Sequence, residues 1–239
     1  MLATLVGEPF DRPGWVFEEK YDGYRILAYK EGARVRLVSR NDKDRTESFG
    51  GIADAVASLK DRTLLLDGEA VAFDRRRVSR FQLLQRGGEP SLAVFYCLYR
   101  NGHDLRREPL SVRRREAEEA IGKGSDHLFV SRRFPGGGMT AYREAARRGF
   151  EGIVAKNASA PYEERRSPEW LKVKVHQEEE LVIGGFTPPR EKAAVWVAPR
   201  LVAQIAFQEW TADEKLRQPV FLGLRDDKKP EECRLPGPS

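Results

Sequence analysis

The segment that decides the fold reads Glu18-Glu19-Lys20-Tyr21-Asp22-Gly23-Tyr24-Arg25. It predicts a β-strand that turns at Gly23. Residues two apart in an extended chain share a face, so Glu18, Lys20 and Asp22 would project together. A lysine held at a strand end becomes a nucleophile when desolvation or nearby cations lower its pKa. Taken alone, the segment favours an ordinary salt-bridged surface strand over a catalytic one.

Two further acidic groups accompany apolar strands. Asp67-Gly68-Glu69 follows the apolar residues 64–66. A strand here delivers two carboxylates to one face, with a glycine between them that lets a ligand approach. Such a pair suits a ribose hydroxyl or a Mg²⁺ ion, and an Asp-Gly turn is the alternative. Glu151 precedes another short apolar strand, which ends in the amine of Lys156.

A pair of lysines lies on one predicted strand face. In Leu171-Lys172-Val173-Lys174-Val175 the charged and apolar residues alternate strictly. Two neighbouring ammonium groups repel each other, so a strand that pairs them indicates an anion between them, and phosphate is the natural candidate. The alternative is a solvated strand face.

Periodicity along the chain predicts two domains. Strands are expected at 15–19, 24–30, 34–39, 63–73, 92–99, 152–156 and 170–175, and helices at 51–59, 110–121 and 139–148. A charged link over 176–180 precedes strand-like runs at 181–186, 194–197 and 201–210. We therefore predict an α+β domain over residues 1–177 and a small all-β module over residues 178–239.

Composition narrows the class of protein. The 239 residues carry a net charge of +5, which permits a polyanionic partner without establishing one. Two cysteines and three scattered histidines predict neither a disulfide framework nor a zinc site, so any metal should be a hard cation. No apolar run is long enough to span a membrane. Arginine clusters at 75–77, 132–133 and 165–166 are candidate phosphate contacts or solvated surface, and the cluster at 113–115 predicts a solvated helix face.

Together these segments resemble the covalent nucleotidyltransferases, the superfamily of DNA ligases, RNA ligases and capping enzymes. Residues 20–25 resemble its KxDGxR nucleophile motif. Its remaining core motifs are matched in the expected order by Ser39-Arg40-Asn41, Asp67-Gly68-Glu69, Phe95, residues 151–156 and residues 171–174. Flanking segments at 1–5, 81–85, 166–170 and 221–225 resemble the bacterial ligase D type, which serves non-homologous end joining.

The resemblance implies an ATP-dependent DNA ligase, with an adenylation domain built on antiparallel sheets and an OB-fold-like module behind it. Lys20 would attack the α-phosphorus of ATP, and AMP would then pass to a 5′-phosphate of nicked or broken double-stranded DNA. The resemblance also implies that Glu18 contacts the adenine edge, that Phe95 stacks on the base, that Lys156 lies in the nucleotide pocket, and that Arg25, Arg40 and Glu69 bind ribose and phosphate. Asp22 would orient the nucleophile, and Glu69 and Glu151 would hold Mg²⁺ or Mn²⁺. Lys172 and Lys174 would bind the α-phosphate, and Arg225 and Lys228 the leaving pyrophosphate. Without the resemblance, Phe95 fits a core aromatic.

Three positions depart from the family pattern. Tyr96 stands where an aspartate is usual, and Asp42 replaces a common glycine. After Thr187-Pro188-Pro189 the chain proceeds almost directly to Ala194, which predicts a shortened, open barrel with exposed strand edges.

The alternatives are an RNA ligase or capping-type enzyme, and a non-catalytic module that binds DNA ends. We expect a bacterial cytoplasmic, nucleoid-associated monomer with no membrane partner. It is either a stand-alone ligase or part of a multifunctional protein that works with Ku and other end-joining proteins.

Overall fold

The structure is a computed structural model in which residues 1–175, 177–186, 193, 195–207, 209–210, 215–217 and 219–233 are described. The chain divides into two compact units, Met1–Val175 and His176–Ser239. No helix among the described residues has the length and apolar character needed to cross a membrane.

A five-stranded sheet in the first unit carries the Lys20 segment. Its strands in spatial order are β1 (Leu2–Leu5), β11 (Arg166–Lys174), β10 (Gly152–Asn157), β2 (Trp15–Glu19) and β9 (Arg133–Phe134). Only β1 and β11 run parallel; the other neighbours are antiparallel. Val154 pairs with Glu18 on one side and Lys172 on the other, so these three side chains share a face of the sheet.

A second sheet in the same unit presents the acidic segment. Its strands are β4 (Arg34–Ser39), β3 (Tyr24–Glu31), β5 (Thr63–Val71), β6 (Ser91–Arg100) and β7 (His103–Asp104), and β8 (Leu128–Val130) pairs in parallel with β6. Arg25 pairs with Glu69, and Asp67 pairs with Tyr96. One face of this sheet therefore carries Arg25, Asp67 and Glu69.

Helices cover the outer faces of both sheets. They are α1 (Gly50–Ala57), α2 (Phe81–Gln85), α3 (Leu110–Ile121) and α4 (Gly138–Arg148). One buried cluster joins α1, α2 and α3 to the second sheet, and another joins α4 to the first sheet through Ala141 and Ala145. A third cluster contains residues of both sheets, among them Phe95 and Trp170. The first unit is therefore layered as helices, sheet, sheet and helix, with the charged faces turned inward.

Short strands make up the second unit. An antiparallel sheet is formed by β12 (Gln177–Val182), β15 (Val202–Phe207) and β18 (Val220–Leu224). Two strand pairs accompany it, β13 (Gly185–Phe186) with β14 (Val195–Trp196), and β16 (Glu209–Trp210) with β17 (Leu216–Arg217). A 3₁₀ turn spans Pro230–Glu232. Thr187-Pro188-Pro189 and Ala194, on which the expectation of a shortened barrel depends, lie outside the described residues.

All seven strands and three helices predicted for the first unit are present, with ends shifted by a few residues. The predicted charged link over 176–180 is wrong, because Gln177–Val182 is strand β12 and pairs along its length with β15. Its glutamates suit the edge position of this strand, where charged side chains remain partly solvated. Within the first unit, helix α2 and strands β1, β7, β8 and β9 were not predicted as secondary structure.

Candidate active site

Lys20 lies at the end of β2, where its amine forms an ion pair with Glu151. The side chains are 17% and 9% exposed, so the pair is shielded but reachable. The backbone N–H of Lys20 also donates to the carbonyl of Gly152 (3.0 Å), which fixes the strand end against β10. The chain then turns at Gly23, where a Cβ atom would lie 2.1 Å from the carbonyl oxygen of Ala70. Only glycine fits this turn without displacing β5.

Glu151 is surrounded by amines. Burial alone would raise the pKa of this carboxyl, but Lys20, Lys174 and Lys172 hold it below its usual value. Its Oε2 atom is buried and has no hydrogen-bond partner among the described residues. The structure thus brings four of the predicted site residues together as one carboxylate among three ammonium groups.

Glu18 forms a second, fully buried ion cluster. Its carboxylate accepts hydrogen bonds from Lys156 Nζ (2.7 Å), Ser131 Oγ (2.7 Å) and Arg114 Nη1 (3.1 Å). Burial would raise its pKa, but Lys156 and Arg114 shift the pKa below its usual value. The buried carboxylate is therefore ionised at neutral pH.

Lys156 lies between two aromatic rings. Its ammonium nitrogen is 4.3 Å from the ring centre of Phe95 and 4.1 Å from that of Trp170. Burial lowers the pKa of Lys156 to about 8, although the ion pair with Glu18 opposes the shift. The candidate base-stacking residue Phe95 is thus in contact with a cation on its ring face.

Arg25 and Asp67 form a bidentate ion pair on the inner face of the second sheet. Arg25 Nη2 donates to Asp67 Oδ2 (2.6 Å), and its Nε donates to Oδ1. The Tyr96 hydroxyl accepts from Arg25 Nη2 (3.2 Å), and the guanidinium lies 4.9 Å from the ring centre of Phe95. Asp67 and Tyr96 therefore both accept hydrogen bonds from Arg25, and Tyr96 does so from the position where the family usually has an aspartate. Glu69 pairs in register with Arg25 on the adjacent strand.

Asp22 anchors the turn that follows Lys20. Its carboxylate accepts the backbone N–H of Phe81, the first residue of α2 (2.9 Å), and its own N–H donates to Ser79 Oγ (3.0 Å). These bonds hold the nucleophile segment against the chain before α2.

Arg40 and Asp42 lie on the turn after β4, and Arg40 is exposed. Asp42 has a φ of 56°, in the left-handed region. Glycine adopts that conformation without strain, which explains why glycine is common at this position.

Arg225 and Lys228 lie in the second unit. Arg225 forms a bidentate pair with Asp227 (2.8 Å for both bonds), and Lys228 contacts Glu180 (3.3 Å). Their action on pyrophosphate stays a prediction.

One sequence interpretation was wrong. Arg113 and Arg114 are buried at 0% and 6% exposure, so 113–115 is not a solvated face. They follow Leu110 by three and four residues and therefore share its inward face of α3. At Gly68, a Cβ atom would lie 2.5 Å from the carbonyl oxygen of Ala93, so packing against β6 requires this glycine, whatever ligand approaches.

Sequence reasoning also missed Arg114, Ser131 and Trp170 as parts of the site. The helical spacing of Arg114 from Leu110 was a usable signal, whereas the position of Ser131 in the chain gave none.

The candidate metal ligands of this site could hold a divalent cation only together with the phosphates of a bound nucleotide. The described residues contain no group of three acidic, histidine or cysteine side chains that could hold a metal alone. Glu69 and Glu151 remain as candidate ligands, and Glu151 offers its unpaired Oε2. Mg²⁺ is commonly held by one or two carboxylates together with substrate phosphates, so these residues fit that mode.

Comparisons with known proteins agree with this geometry. Residues 1–174 match the ATP dependent DNA ligase domain, and residues 151–228 match the ATP dependent DNA ligase C terminal region. The multifunctional non-homologous end joining protein LigD of Pseudomonas aeruginosa is 29% identical over 300 residues, covering 97% of this chain and 36% of that protein. A probable DNA ligase of Anaeromyxobacter sp. is 35% identical over 184 residues, covering 70% of this chain and 35% of that protein. The chain thus spans about a third of the length of these relatives.

A solved structure described as mycobacterial DNA ligase D complexed with ATP and MES is 27% identical, with a TM-score of 0.76 and 98% of both chains covered. The ligase-domain match extends over nearly the whole first unit and includes every residue of the Lys20 and Glu18 clusters. Sequence, fold and charged constellation therefore lead to one conclusion: the chain belongs to the family of ATP-dependent DNA ligases.

Proposed function

We propose that this protein transfers AMP from ATP to Lys20, passes the AMP to a DNA 5′-phosphate and seals the break with the neighbouring 3′-hydroxyl. One observation carries the proposal: the Lys20 amine lies at a strand end in contact with Glu151, whose pKa is held low by Lys20, Lys174 and Lys172. A nucleophile, a group that can accept its proton, and cations for a phosphate thus occupy one site.

The chemistry follows from these charges. The Lys20 nitrogen must lose a proton, then bond to the α-phosphorus as the bond to pyrophosphate breaks. Glu151 is ionised and in contact with the amine, so it is placed to take that proton. Lys172 and Lys174 would stabilise the negative charge on the α-phosphate. A divalent cation held by Glu69, Glu151 and the phosphates would supply further charge stabilisation.

The base pocket would be formed by Phe95 and the pairs around it. Because Lys156 and Arg25 lie over the Phe95 ring at 4.3 and 4.9 Å, a base that stacks there must displace one of them. Four residues donate hydrogen bonds to the Glu18 carboxylate, namely Lys156, Ser131, Arg114 and Arg133, so contact with an adenine edge requires Lys156 or another donor to move. We therefore propose that Lys156 exchanges between Glu18 and the nucleotide.

The wider role is repair of DNA breaks by non-homologous end joining. Its support is the similarity to end-joining proteins of the LigD type. We propose residues 1–177 as the adenylation domain and residues 178–239 as a module that closes over ATP, bringing Arg225 and Lys228 to the pyrophosphate. Ku and other end-joining proteins are proposed partners, in the bacterial cytoplasm near the nucleoid.

The test is transfer of label from ATP. Protein incubated with [α-³²P]ATP and Mg²⁺ or Mn²⁺ should give a labelled band that survives denaturation. Lys20→Ala should abolish the band, and Lys123→Ala, at an exposed lysine, should not. Labelling of Lys20→Ala at the wild-type level would refute the proposal.

Two comparisons then separate the alternatives. GTP in place of ATP, and RNA ends in place of nicked DNA, distinguish a DNA ligase from a capping enzyme or an RNA ligase. DNA binding without any label transfer would indicate a non-catalytic module.

A further inference from the structure

One strongly basic segment lies beside the Lys20 turn. Residues 73–86 contain one acidic residue, Asp74, and five arginines: Arg75, Arg76, Arg77, Arg80 and Arg86. The net charge of these fourteen residues is +4, and residues 132–148 reach the same value. A basic segment of this kind permits a polyanionic partner at this surface.

Residues 73–79, here called the arginine hairpin, have a defined shape. Phe73 and Ser79 form an isolated β-bridge, and Asp74 Oδ1 accepts the backbone N–H groups of Arg76 (2.9 Å) and Val78 (3.0 Å). The guanidinium of Arg77 lies 4.6 Å from the ring centre of Phe73. Asp74 Oδ2 also pairs with Arg80 (3.4 Å), so the one acidic residue of the segment shapes the loop and compensates an arginine that lies outside the hairpin.

Arg75 and Arg76 are exposed, and no ion pair joins either of them to a described residue. Some exposed arginines of the same unit are compensated locally: on α4, Arg147 and Arg148 both pair with Glu144 (2.8 and 2.5 Å). Arg75 and Arg76 lack such a partner among the described residues, so their charge is available to an external anion.

Two hydrogen bonds fasten the nucleophile segment to the hairpin and to the start of α2. Ser79, the last hairpin residue, accepts the N–H of Asp22 (3.0 Å), and the Asp22 carboxylate accepts the N–H of Phe81 (2.9 Å). Asp22 is two residues from Lys20. A DNA strand whose end lies at Lys20 must therefore pass over the protein surface next to Lys20. The hairpin is held to that surface.

We propose that the arginine hairpin binds backbone phosphates of the DNA strand that presents its end to Lys20, with Arg75 and Arg76 as the contact residues. This rests on the proposed ligase function and adds the surface that holds the DNA substrate. The contacts are to phosphate rather than to bases, since the side chains project from an exposed turn and guanidinium groups match phosphate oxygens. They strengthen binding of the DNA and leave lysyl-AMP formation, which needs no DNA, unaffected.

The test separates these two steps. Arg75→Gln/Arg76→Gln is compared with Arg143→Gln/Arg147→Gln, which removes the same two charges from exposed positions on α4. Label transfer from [α-³²P]ATP is measured first, without DNA. Affinity for a nicked duplex is then measured as a function of salt concentration, followed by AMP transfer to the nick. Each lost phosphate contact reduces the slope of log K against log salt by about 0.9, so the hairpin variant should lose about 1.8.

The expected result is normal self-labelling in both variants, with nick affinity lowered on the order of tenfold at about 0.1 M salt only in the hairpin variant. Equal nick affinity and salt slope in the two variants would overturn the inference while leaving the ligase proposal intact. Absence of label on the wild-type protein would instead refute the ligase proposal itself. Normal labelling also reports that the variant is folded.

Discussion

The buried carboxylate of Glu18 offers the sharpest test of how the site is held together. Replacing it with glutamine keeps the size of the side chain and removes the charge. Lys156 would lose its anionic partner, while Arg114 would keep its bonds to Ser131 and Glu118. Lys156 is 1% exposed and lies between two aromatic rings, so water cannot replace the lost carboxylate.

The expected cost is large. Removing one partner of a buried ion pair destabilises a protein by about 3–5 kcal/mol, because the other charge remains buried without compensation. Lys156→Met should cost less, because Glu18 keeps its bonds to Arg114 (3.1 Å) and Ser131 (2.7 Å). The double variant Glu18→Gln/Lys156→Met removes both charges, so it should be more stable than the sum of the single effects by about 2–3 kcal/mol.

Urea unfolding of the four proteins measures this coupling energy, with the change followed by tryptophan fluorescence. A coupling below about 0.5 kcal/mol would refute the buried pair as the source of stability. The pH dependence gives a second readout. The pKa of Glu18 is lower in the folded protein than its ordinary value of 4.5, so its stabilisation is present above pH 4.5 and lost as the pH falls through the folded pKa. Glu18→Gln should remove that acid dependence.

Two further substitutions probe neighbouring positions. Burial raises the pKa of Glu19 to about 7, so its stabilising contribution is complete below its unfolded value and lost as the pH rises through 7. Glu19→Gln should flatten the pH dependence of the free energy of unfolding between pH 4.5 and 7, and should raise that free energy by up to about 3 kcal/mol at pH 8. A lower stability of the variant at pH 8 would mean that the contact of Glu19 with Arg132 (3.3 Å) outweighs the cost of burial. Gly23→Ala should destabilise the fold by about 1–3 kcal/mol or more and reduce self-labelling, whereas Gly7→Ala, with no atom within 4 Å of the added Cβ, should do neither. Comparable urea midpoints for the two glycine variants would contradict the steric argument.

The strands and the position of Lys20 could be predicted because they depend on local pattern. Alternation of apolar and polar residues places side chains on defined faces, and this alternation alone is enough to put Lys172 and Lys174 side by side. The link over 176–180 was misjudged for a related reason. Three successive glutamates look like a solvated connection, yet an edge strand needs only its backbone paired and leaves such side chains partly in water.

The Glu18 cluster could not be predicted because its members are distant in the chain. Arg114 and Ser131 lie 96 and 113 residues from Glu18, on elements whose arrangement depends on the whole fold. Charge composition also misled, since arginines alternating with glutamates are typical of an exposed helix. Which face of α3 meets the core was decided instead by Leu110, and the two arginines that follow it by three and four positions were buried with it.

The site is a set of paired charges rather than a basic pocket. Lys20 pairs with Glu151, Lys156 with Glu18, and Arg25 with Asp67, and each of the three carboxylates is nearly or fully buried. Because an uncompensated buried charge is so costly, the amines and the guanidinium can meet nucleotide phosphates only by exchanging one anion for another. Exchange at Glu151 has a distinctive consequence. In the proposed reaction Lys20 leaves this carboxylate for phosphorus, and the ionised group then keeps Lys172 and Lys174 close by and has an unpaired oxygen that could take the proton or a cation. Under this proposal, the ion pair that stabilises the site before nucleotide binds is also the arrangement from which Lys20 reacts.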